Sequence, residues 1–377
     1  MPPRNLRVFI SAGEPSGDLH GGPVAAALRE RHPGITIEAL GGPHLAAAGA
    51  AIRFPMERYT VLGFAEVLRA IPAHWRMLRI LERDFRAGRY DLALPIDYPG
   101  FNLRLAEAAR RHGVPVLYYI APKHWASGTR LTPRFGEVVN RVACIVPFEP
   151  GFFSRFGIAA EYVGHPLLDQ PSPPAREDAR RALAIPDRAR VLALFPGSRR
   201  QEIARLWVPF RDAARRLRDG GRCDRVFVAA MPGMEYPGSE GFQLLPAQSG
   251  LVLSLADAAI VKSGTATLEA ALAGVPMVVA YRVHPVTAWL ARRLMRVSWV
   301  SLVNLIAGKG VVPELLQGDA SPERLAKAVT PLLDRDNPVI GAQREGFDLV
   351  RGRLGRPGAA VRVAELAEEL MGCDEPG

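Results

Sequence analysis

The stretch LRVFISAGEPSGDLHGGPVAAALRERH, residues 6–32, decides the fold, because an apolar run is followed by a glycine-rich turn and then by a helix-like segment. That order is typical of the first strand, turn and helix of an α/β domain with a parallel sheet. Such turns commonly bind phosphate at the start of the helix. Here, however, the turn contains Glu14 and Asp18, whose negative charges repel phosphate. The sequence therefore raises the question of what this turn binds.

The same alternation of strand-like and helix-like segments continues along the chain, whose 377 residues exceed the limit of roughly 250–300 for a single core. Strand candidates in the first half lie near residues 6–12, 35–40, 91–97, 115–121, 142–148 and 161–164. PSPPARED, residues 171–178, is typical of a linker, and the strand pattern resumes after it in RVLALFPG, DRVFVAAM, GFQLLPA, DAAIVKSG and VPMVVAYR. We therefore predict an α/β protein of two Rossmann-like halves, with ligands bound in a cleft at the carboxyl ends of the strands.

Composition restricts the partners without identifying one. A hydrophobic content of 48% excludes a disordered chain, and a net charge of +10 with a pI near 10.0 favours an anionic partner. Nucleic acid, a membrane surface and a phosphorylated substrate all fit this charge, as does a solvated basic surface. Neither the three cysteines nor the eight histidines have metal-ligand spacing, so a reducing cytosol and a metal-free mechanism are expected. The apolar stretch 270–281 is shorter than the about 20 residues that span a bilayer, so we expect neither secretion nor membrane insertion.

The segment VKSGTATLEAALAGVPMVV, residues 261–279, has the pattern of a strand, a tight turn and a helix. Ser263, Gly264 and Thr265 fall where free backbone amides and the helix dipole suit a diphosphate. Glu269 lies about one turn further, where a carboxylate can accept both hydroxyls of a ribose. Two alternatives stay open, namely that Ser263 or Thr265 is only an N-cap and that Glu269 is a solvated first-turn acid.

LFPGSRRQEIARL, residues 194–206, repeats that pattern at the start of the second half. Arg199 and Arg200 follow Gly197 and Ser198, and a guanidinium can hold phosphate oxygens through two parallel hydrogen bonds. One of the two arginines can equally be a surface residue. Two phosphate-suited turns in one half predict that this half binds the nucleotide.

A series of longer motifs carries a specific resemblance over about residues 6–335. In order along the chain they are SAGEPSGDLHG, IDYPGFN, PFEPGFF, YVGHPLLD, LFPGSR, SGTATLE, YRVHPVTAWLARRL and VSLVNLIAGKGVVPELLQ. In these motifs the chain resembles the lipid-A-disaccharide synthases, which are inverting glycosyltransferases of the GT-B fold. The resemblance implies that UDP-2,3-diacylglucosamine is the donor, that 2,3-diacylglucosamine 1-phosphate is the acceptor, and that UDP is released without a metal or other cofactor.

The resemblance also implies an organisation into an acceptor-side domain over residues 1–165 and a UDP-sugar domain over residues 166–345. A helical tail, residues 346–377, is expected to pack on the first domain. The glycine-rich turn then faces the cleft, so that Glu14, Ser16 and Asp18 meet sugar hydroxyls or hold neighbouring loops. In the structural alternative, Asp18 caps the following helix and Glu14 bonds the turn backbone. The acceptor side as predicted consists of Gly13, Ser16, Asp18 and Asn102.

The general base that an inverting transfer requires is predicted to be Asp97, where an apolar strand ends just before a helix. Its alternative is a loop acid or an N-cap. Some relatives have a second acid where this chain has Gly100. Arg199, with the helix start at Ser263–Thr267, is expected to stabilise the departing diphosphate, and Glu14 completes the predicted catalytic set. The residues predicted to bind UDP or the donor are Ser198, Arg199, Ser263, Gly264, Thr265, Ala266, Thr267, Glu269, Glu314 and Gln317.

One loop departs from the form that many relatives share. They have a serine before the proline and a Trp-Ala-Trp triplet, whereas this chain has Ala121 and then Trp125-Ala126-Ser127. Lys123 and His124 are additional polar groups there, and either can be a surface residue. We expect the departure to affect substrate fit and not the type of reaction.

Two apolar stretches, residues 59–78 and 284–299, are candidates for contact with lipid. The second combines tryptophan and arginine in the manner of an interfacial helix on anionic lipid. Both stretches also fit ordinary core. With acylated substrates implied, we expect a cytoplasmic protein that is peripheral on the inner surface of the cytoplasmic membrane, with a homodimer left open. The predicted membrane contacts are Trp289, Arg292, Arg293 and Arg296.

Two other functions remain as alternatives. The first is another UDP-sugar transferase or a UDP-N-acetylglucosamine epimerase on the same fold, although the long SAGEPSGDLHG and IDYPGFN motifs argue against it. The second is a nucleic-acid-binding protein without catalysis, which the net charge alone suggests. That function predicts salt-sensitive binding of RNA or DNA and no release of UDP, whereas our own prediction includes no nucleic acid.

Overall fold

The computed structural model describes residues 5–59, 64–284 and 298–373. The chain divides into two compact units, the first formed by Met1–Asp169 with Arg356–Gly377 and the second by Gln170–Gly355. The predicted division after residue 345 falls inside the helix Pro338–Leu354, which the second unit contains whole.

The first unit is built on parallel strands in which every paired neighbour runs in the same direction. The strands are β1 (Arg7–Ser11), β2 (Thr36–Gly41), β3 (Ala51–Pro55), β4 (Leu92–Pro95), β5 (Leu117–Tyr119), β6 (Arg141–Cys144) and β7 (Ala160–Tyr162). They form a four-stranded sheet in the order β3-β2-β1-β4 and a three-stranded sheet in the order β5-β6-β7. Parallel bridges from Ala93 to Val116 and from Ile96 to Tyr119 join β4 to β5. The spatial order is therefore 3-2-1-4-5-6-7, a Rossmann order in which the chain reverses its progress between β1 and β4.

Helices cover both faces of this sheet, as parallel strands require. They are α1 (Pro15–Arg31), α2 (Pro43–Ala47), α3 (Phe64–Arg86), α4 (Pro99–Arg111), α5 (His124–Ser127), α6 (Thr132–Val138) and α7 (Glu149–Ser154). Val8 and Ile10 face a core shared with α1, whereas Phe9, between them, faces the core on the side of α3 and α4. This alternation within one strand separates the two cores.

The last described helix, α15 (Ala359–Met371), belongs to the first unit and packs against α1. Its apolar face contributes Val363 and Leu366 to the core that also contains Leu28. The guanidinium of Arg31 donates to both carboxylate oxygens of Glu368 at 2.6 Å. The end of the chain thus completes one wall of the unit that the beginning of the chain starts.

The second unit has the strands β8 (Val191–Phe195), β9 (Arg225–Ala230), β10 (Gln243–Pro246), β11 (Ala258–Lys262), β12 (Met277–Tyr281) and β13 (Glu314–Leu316). They form one parallel sheet in the order β10-β9-β8-β11-β12-β13. This is again a Rossmann order, which confirms the predicted pair of Rossmann-like sheets. The helices that cover it are α8 (Arg176–Ala182), α9 (Arg200–Asp219), α10 (Ser249–Leu255), α11 (Thr265–Leu272), α12 (Leu302–Ala307), α13 (Pro322–Val329) and α14 (Pro338–Leu354).

Over the described segments, we find no helix that is both long enough and apolar enough to cross a bilayer.

Candidate functional site

Each unit has one point where the strand order reverses, and ligands of open parallel sheets bind beside the carboxyl ends of the strands at such a point. In the first unit the point lies between β1 and β4, which lead into the glycine-rich turn and into Asp97. In the second unit it lies between β8 and β11, which lead into Ser198 and Ser263. The sheet topology thus brings the predicted site residues that follow these strands in each unit to one side of its sheet, where the carboxyl ends of the strands lie. This side is called the strand-end edge.

Asp97 occupies a sharp turn between β4 and α4. Both Asp97 and Tyr98 have a left-handed backbone, with φ of 46° and 49°. This conformation costs a residue other than glycine about 1–3 kcal/mol and persists only where the surroundings impose it. Pro99 begins α4 immediately afterwards, at a position where its missing amide hydrogen costs nothing. The turn leaves the Asp97 side chain partly exposed at the strand-end edge.

Buried donors hold the backbone of this turn. Asn102 is fully buried, and its Nδ2 lies 2.7 Å from the Asp97 carbonyl oxygen and 3.1 Å from that of Ile96. The same Nδ2 lies 3.2 Å from the carbonyl oxygen of Ser11, and Oδ1 of Asn102 accepts from the Ser11 hydroxyl at 2.6 Å. The hydroxyl of Tyr118 also donates to the Asp97 carbonyl, at 2.8 Å. Asn102, predicted on the acceptor side, therefore contacts backbone and the Ser11 hydroxyl.

Gly13 and Tyr98 fit against each other at this edge. A Cβ atom on Gly13 would lie 2.3 Å from the Tyr98 ring, so only glycine fits there. The Tyr98 hydroxyl lies 2.9 Å from Nε2 of His74, and burial followed by the charge of Glu14 raises the pKa of Tyr98. Tyr98 and His74 were not predicted as site residues. The tyrosine within the IDYPGFN motif was the signal available for the first of them.

Asp18 holds a neighbouring loop. Its carboxylate is fully buried and accepts from the backbone amides of Gly42 at 2.7 Å, His44 at 2.9 Å and Leu45 at 3.2 Å. It therefore caps the start of α2 and not the helix α1 in which it lies. Ser16, by contrast, is exposed in the first turn of α1.

The segments that follow β5 and β6 add polar groups at the carboxyl ends of the strands. Glu149 is buried and accepts from Nε1 of Trp125 at 3.0 Å and from the amide of Val146 at 3.1 Å, while burial raises the pKa of its carboxyl group. Lys123 is exposed in the segment between β5 and α5, immediately before α5. His124 is buried against Phe135, so the alternative of a surface histidine is wrong at this position.

In the second unit, Glu202 organises the turn after β8. One carboxylate oxygen accepts from the amides of Ser198 at 3.1 Å and Arg199 at 3.3 Å, and the other pairs with Nζ of Lys262 at 2.7 Å. Gly197, with φ of 126°, leaves room for this carboxylate. Two amides expected to meet a diphosphate are therefore bound within the protein, whereas the Arg199 side chain is exposed. Sequence reasoning missed Glu202 and Lys262.

The turn after β11 uses two of its hydroxyls internally. Ser263 donates to the carbonyl of Val300 at 2.7 Å, and Thr267 donates to that of Gly264 at 2.7 Å. Gly264 has φ of 157° and ψ of −160°, a conformation that is essentially restricted to glycine. Thr265 is exposed and Ala266 partly exposed at the start of α11. Ser263, Gly264 and Thr267 thus shape the turn that presents Thr265.

Glu269 follows one turn into α11 and contacts Ser249. Burial raises the pKa of this carboxyl group, and the hydrogen bond from Ser249 opposes the shift. Glu269 is therefore neither fully solvated nor engaged in an ion pair that the structure records.

Glu314 and Gln317 act on backbone next to these turns. Glu314 accepts from the amides of Val300 at 2.8 Å and Ser301 at 2.9 Å, and from Nδ2 of Asn304 at 2.8 Å. It thereby holds the segment whose carbonyl receives the Ser263 hydroxyl. With its amide oriented to satisfy both groups, Gln317 donates to the carbonyl of Val283 at 3.1 Å and accepts from its amide at 3.2 Å.

The predicted membrane contacts Trp289, Arg292, Arg293 and Arg296 lie outside the described residues. In the other apolar stretch, Ile71 and Trp75 on α3 are 40% and 46% exposed. The guanidinium of Arg104 lies 5.0 Å from the centre of the Trp75 ring. In the part of the chain that the structure describes, no cluster of three or more His, Cys, Asp or Glu could hold a metal ion.

Comparison with known proteins gives concordant results at the level of sequence. A family described as lipid-A-disaccharide synthetase matches residues 8–345. The lipid-A-disaccharide synthase of Anaeromyxobacter sp. (strain K) is 41% identical over 97% of each chain. Those of Myxococcus xanthus, over 97% of each chain, and Azotobacter vinelandii, over 96% of this chain and 98% of that protein, are both 40% identical.

Solved structures are similar in fold at low identity. The UDP-GlcNAc 2-epimerase from Neisseria meningitidis, bound to UDP-GlcNAc, has a TM-score of 0.64 at 11% identity. The match covers 98% of this chain and 100% of the epimerase chain. Acinetobacter baumannii MurG has a TM-score of 0.59 at 19% identity, covering 97% of this chain and 99% of its own. At these identities the likeness concerns the fold alone.

Proposed function

The chain belongs to the lipid-A-disaccharide synthase family, and we propose how the strand-end residues of its two units perform the reaction of that family. It has the two-domain GT-B fold and is a UDP-sugar-dependent glycosyltransferase of lipid A biosynthesis, with a UDP-sugar donor and a lipid acceptor. The reaction transfers 2,3-diacylglucosamine from its UDP derivative to 2,3-diacylglucosamine 1-phosphate, with inversion and release of UDP.

Asp97 is the general base in this proposal. It takes the proton of the acceptor hydroxyl while that oxygen forms a bond to the anomeric carbon, and the bond from that carbon to UDP breaks on the opposite face. The observation that carries the assignment is the strained turn. Asp97 and Tyr98 have a left-handed backbone, they lie where the order of strands in the sheet reverses, and buried donors hold the Asp97 carbonyl there. A carboxylate that is partly exposed at such an edge can reach a bound hydroxyl.

The departing diphosphate is assigned to Arg199 and the start of α11. Because Glu202 occupies the amides of Ser198 and Arg199, the Arg199 guanidinium supplies the positive charge of that turn. Thr265 and Ala266, the exposed start of α11, supply the second contact. These groups give the leaving group its stabilisation in a mechanism that assigns no role to a metal or other cofactor.

The remaining donor-side residues divide by what their side chains contact. Glu269 is assigned to the ribose hydroxyls, since its carboxylate lies one turn beyond the phosphate-suited helix start. Glu314 and Gln317 are assigned to positioning, because their polar atoms already bond protein groups. Loss of Glu314 is therefore expected to displace the turn after β11, and loss of Gln317 to displace the backbone at Val283, without removing a contact with UDP.

On the acceptor side, Glu14 is assigned to sugar hydroxyls and Lys123 to the acceptor phosphate. Lys123 is exposed at the same edge of the parallel sheet as Asp97, and an ammonium group is a suitable partner for a phosphate dianion. Asp18 and Asn102 support this side by holding α2 and the Asp97 turn.

We further propose that the chain binds the inner surface of the cytoplasmic membrane as a peripheral protein. The exposed Trp75 and Ile71 on α3 support contact with lipid. The tryptophan and arginine residues of positions 289–296 provide the second contact in this proposal.

The test of the proposed function is mass spectrometry, for composition, and proton NMR, for the configuration of the linkage and of the sugar, applied to products formed from a panel of acylated and non-acylated UDP-glucosamines with the acylated acceptor phosphate. The expected product is an acylated disaccharide phosphate with an inverted linkage, formed with one UDP per transfer and only from acylated donors. An epimerised UDP-sugar formed without acceptor would instead indicate the epimerase alternative. Equal transfer from non-acylated donors would overturn the substrate assignment.

A further inference from the structure

The carbonyl oxygen of Asp97 receives two hydrogen bonds from fully buried side chains. Nδ2 of Asn102 donates to it at 2.7 Å and the hydroxyl of Tyr118 at 2.8 Å. A carbonyl oxygen has two lone pairs, so the two donors saturate it. The peptide that follows Asp97 is therefore fixed from two directions.

The Asn102 amide is itself fixed in orientation. The Ser11 hydroxyl donates to its Oδ1 at 2.6 Å, which leaves Nδ2 to face the carbonyls of Ile96 and Asp97. A reversed amide would place Oδ1 against these carbonyl oxygens, an arrangement of acceptors only. Ser11 ends β1, two residues before Gly13, so this contact also ties the glycine-rich turn to the Asp97 turn.

Tyr118 can act only as a donor in this arrangement. It is fully buried on β5, and burial, followed by the negative charge of Asp97, raises the pKa of its hydroxyl well above the ordinary value. The hydroxyl therefore stays protonated throughout the working pH range.

We propose that Asn102 and Tyr118, with Ser11 orienting the amide, are positioning residues that hold Asp97 in its left-handed conformation and thereby aim its carboxylate at the acceptor hydroxyl. The proposal rests on the assignment of Asp97 as general base. Positive φ is uncommon for residues other than glycine, and aspartate, which tolerates it better than most, is kept in it here by the two hydrogen bonds to its carbonyl oxygen. Without the two donors, the turn relaxes toward ordinary backbone angles, and the carboxylate moves with the peptide.

The decisive variant is Tyr118→Phe, which removes one hydroxyl and keeps the ring packed against Phe135. We expect kcat to fall about 3- to 10-fold, the effect of one hydrogen bond, with the KM values for donor and acceptor unchanged. Asn102→Ala removes all donors of the amide, and we expect a loss near the roughly 10²-fold that a misplacement of about 1 Å can cause. Ser11→Ala should give an intermediate loss, since only the orientation of the amide is released.

The matched control is Tyr119→Phe. Tyr119 is also buried on β5, but its side chain lies in the core on the opposite face of the sheet. A loss of kcat in this variant equal to that of Tyr118→Phe would overturn the proposal, because both losses would then reflect a general weakening of β5. Melting curves for all variants report whether each one folds. If Asn102→Ala does not fold, Tyr118→Phe still tests the proposal.

A double-mutant cycle with Asp97→Asn separates this proposal from the one on which it rests. If Tyr118 acts through Asp97, Tyr118→Phe has no further effect on the single-turnover rate once the carboxylate is gone. A slow Asp97→Asn variant in which Tyr118→Phe costs the same factor as in the parent would overturn the positioning role alone. An Asp97→Asn variant of parental rate would remove the general base, and the positioning role with it.

Discussion

Asp97→Asn is the substitution that tests the chemistry most directly. The change preserves the size of the side chain and removes its basicity. Asparagine is among the residues most often found at positive φ, so the φ of 46° at this position remains acceptable. The bonds from Asn102 and Tyr118 end on the backbone carbonyl of residue 97 and do not depend on the carboxylate. The variant should therefore fold with an unchanged melting temperature.

The expected loss follows from the role of a general base, which contributes typically about 10²–10⁴-fold to a rate. We expect kcat to fall by that factor, equivalent to about 3–5 kcal/mol of activation free energy. The affinity for UDP should stay within about twofold, because Arg199, Thr265 and Glu269 all belong to the other compact unit. Loss of rate without loss of UDP binding is the signature that distinguishes a base from a structural aspartate.

The assay is a single-turnover measurement at saturating donor and acceptor, accompanied by a melting curve and a calorimetric titration with UDP. A folded variant that keeps more than about a tenth of the parental rate refutes the general-base role, which requires a larger loss. A lowered melting temperature with a proportionate loss of rate would indicate a structural aspartate instead.

Four further predictions concern the donor, the acceptor, the membrane and pH. Glu269→Ala should weaken UDP binding about 10-fold or more, the effect of losing a hydrogen bond to a charged group, and leave the chemical step nearly unchanged; unaltered calorimetric affinity would remove Glu269 from the donor site. Lys123→Ala should raise the KM for the acceptor phosphate about 10-fold and have no effect on an acceptor that lacks the phosphate; equal effects on both acceptors would contradict the assignment. Replacing Arg292, Arg293 and Arg296 with serine should reduce flotation with anionic vesicles, because each arginine contributes about 1 kcal/mol of binding free energy. Serine at the exposed Arg188, Arg222 and Arg225 should not reduce it. Equal flotation of the two triple variants would contradict this membrane contact. Burial, followed by the charges of His20 and Lys123, lowers the pKa of His165 from 6.5 to about 4. Between these two pH values the unfolded chain binds a proton that the folded chain does not, so the free energy of unfolding decreases by about 3 kcal/mol as the pH falls from 6.5 to 4. In denaturant titrations, His165→Gln should lose less stability than the parent between pH 7 and pH 4, and an equal loss in both proteins would refute the argument.

The parts of the fold that were predictable are those with a strong local pattern. β1, β4, β8 and β11 are continuous apolar runs that end in glycine-rich or polar turns, and the structure contains each of them. The strand β3 was not predicted, because AIRFP is an edge strand that is mostly only partly buried and ends in proline. The strand β13 was also missed, and it is an edge strand that contains no buried residue and pairs with β12 alone.

The position of a candidate site residue was predictable where the residue follows its own strand, as Asp97 and Arg199 do. It was not predictable where a side chain acts on a distant segment. Asn102 bonds Ser11 across a separation of 91 residues, and Lys262 pairs with Glu202 across 60. No periodicity or spacing reports such contacts, because they depend on which strands become neighbours. The role of Glu314, which accepts from the amides of Val300 and Ser301 immediately before α12, is of the same kind.

The discontinuous first unit has a consequence for the order of events during synthesis. Gln170–Gly355 form a contiguous segment, so the second unit can complete its own core as soon as it has left the ribosome. The first unit begins earlier and finishes later, because one wall of its core is α15. Until residues 359–371 have been made, the face of α1 that contains Val24 and Leu28 has no partner helix and is open to chaperones or to other nascent chains. A chain that stops after Gly355 therefore contains a complete second unit and a first unit that cannot close its core.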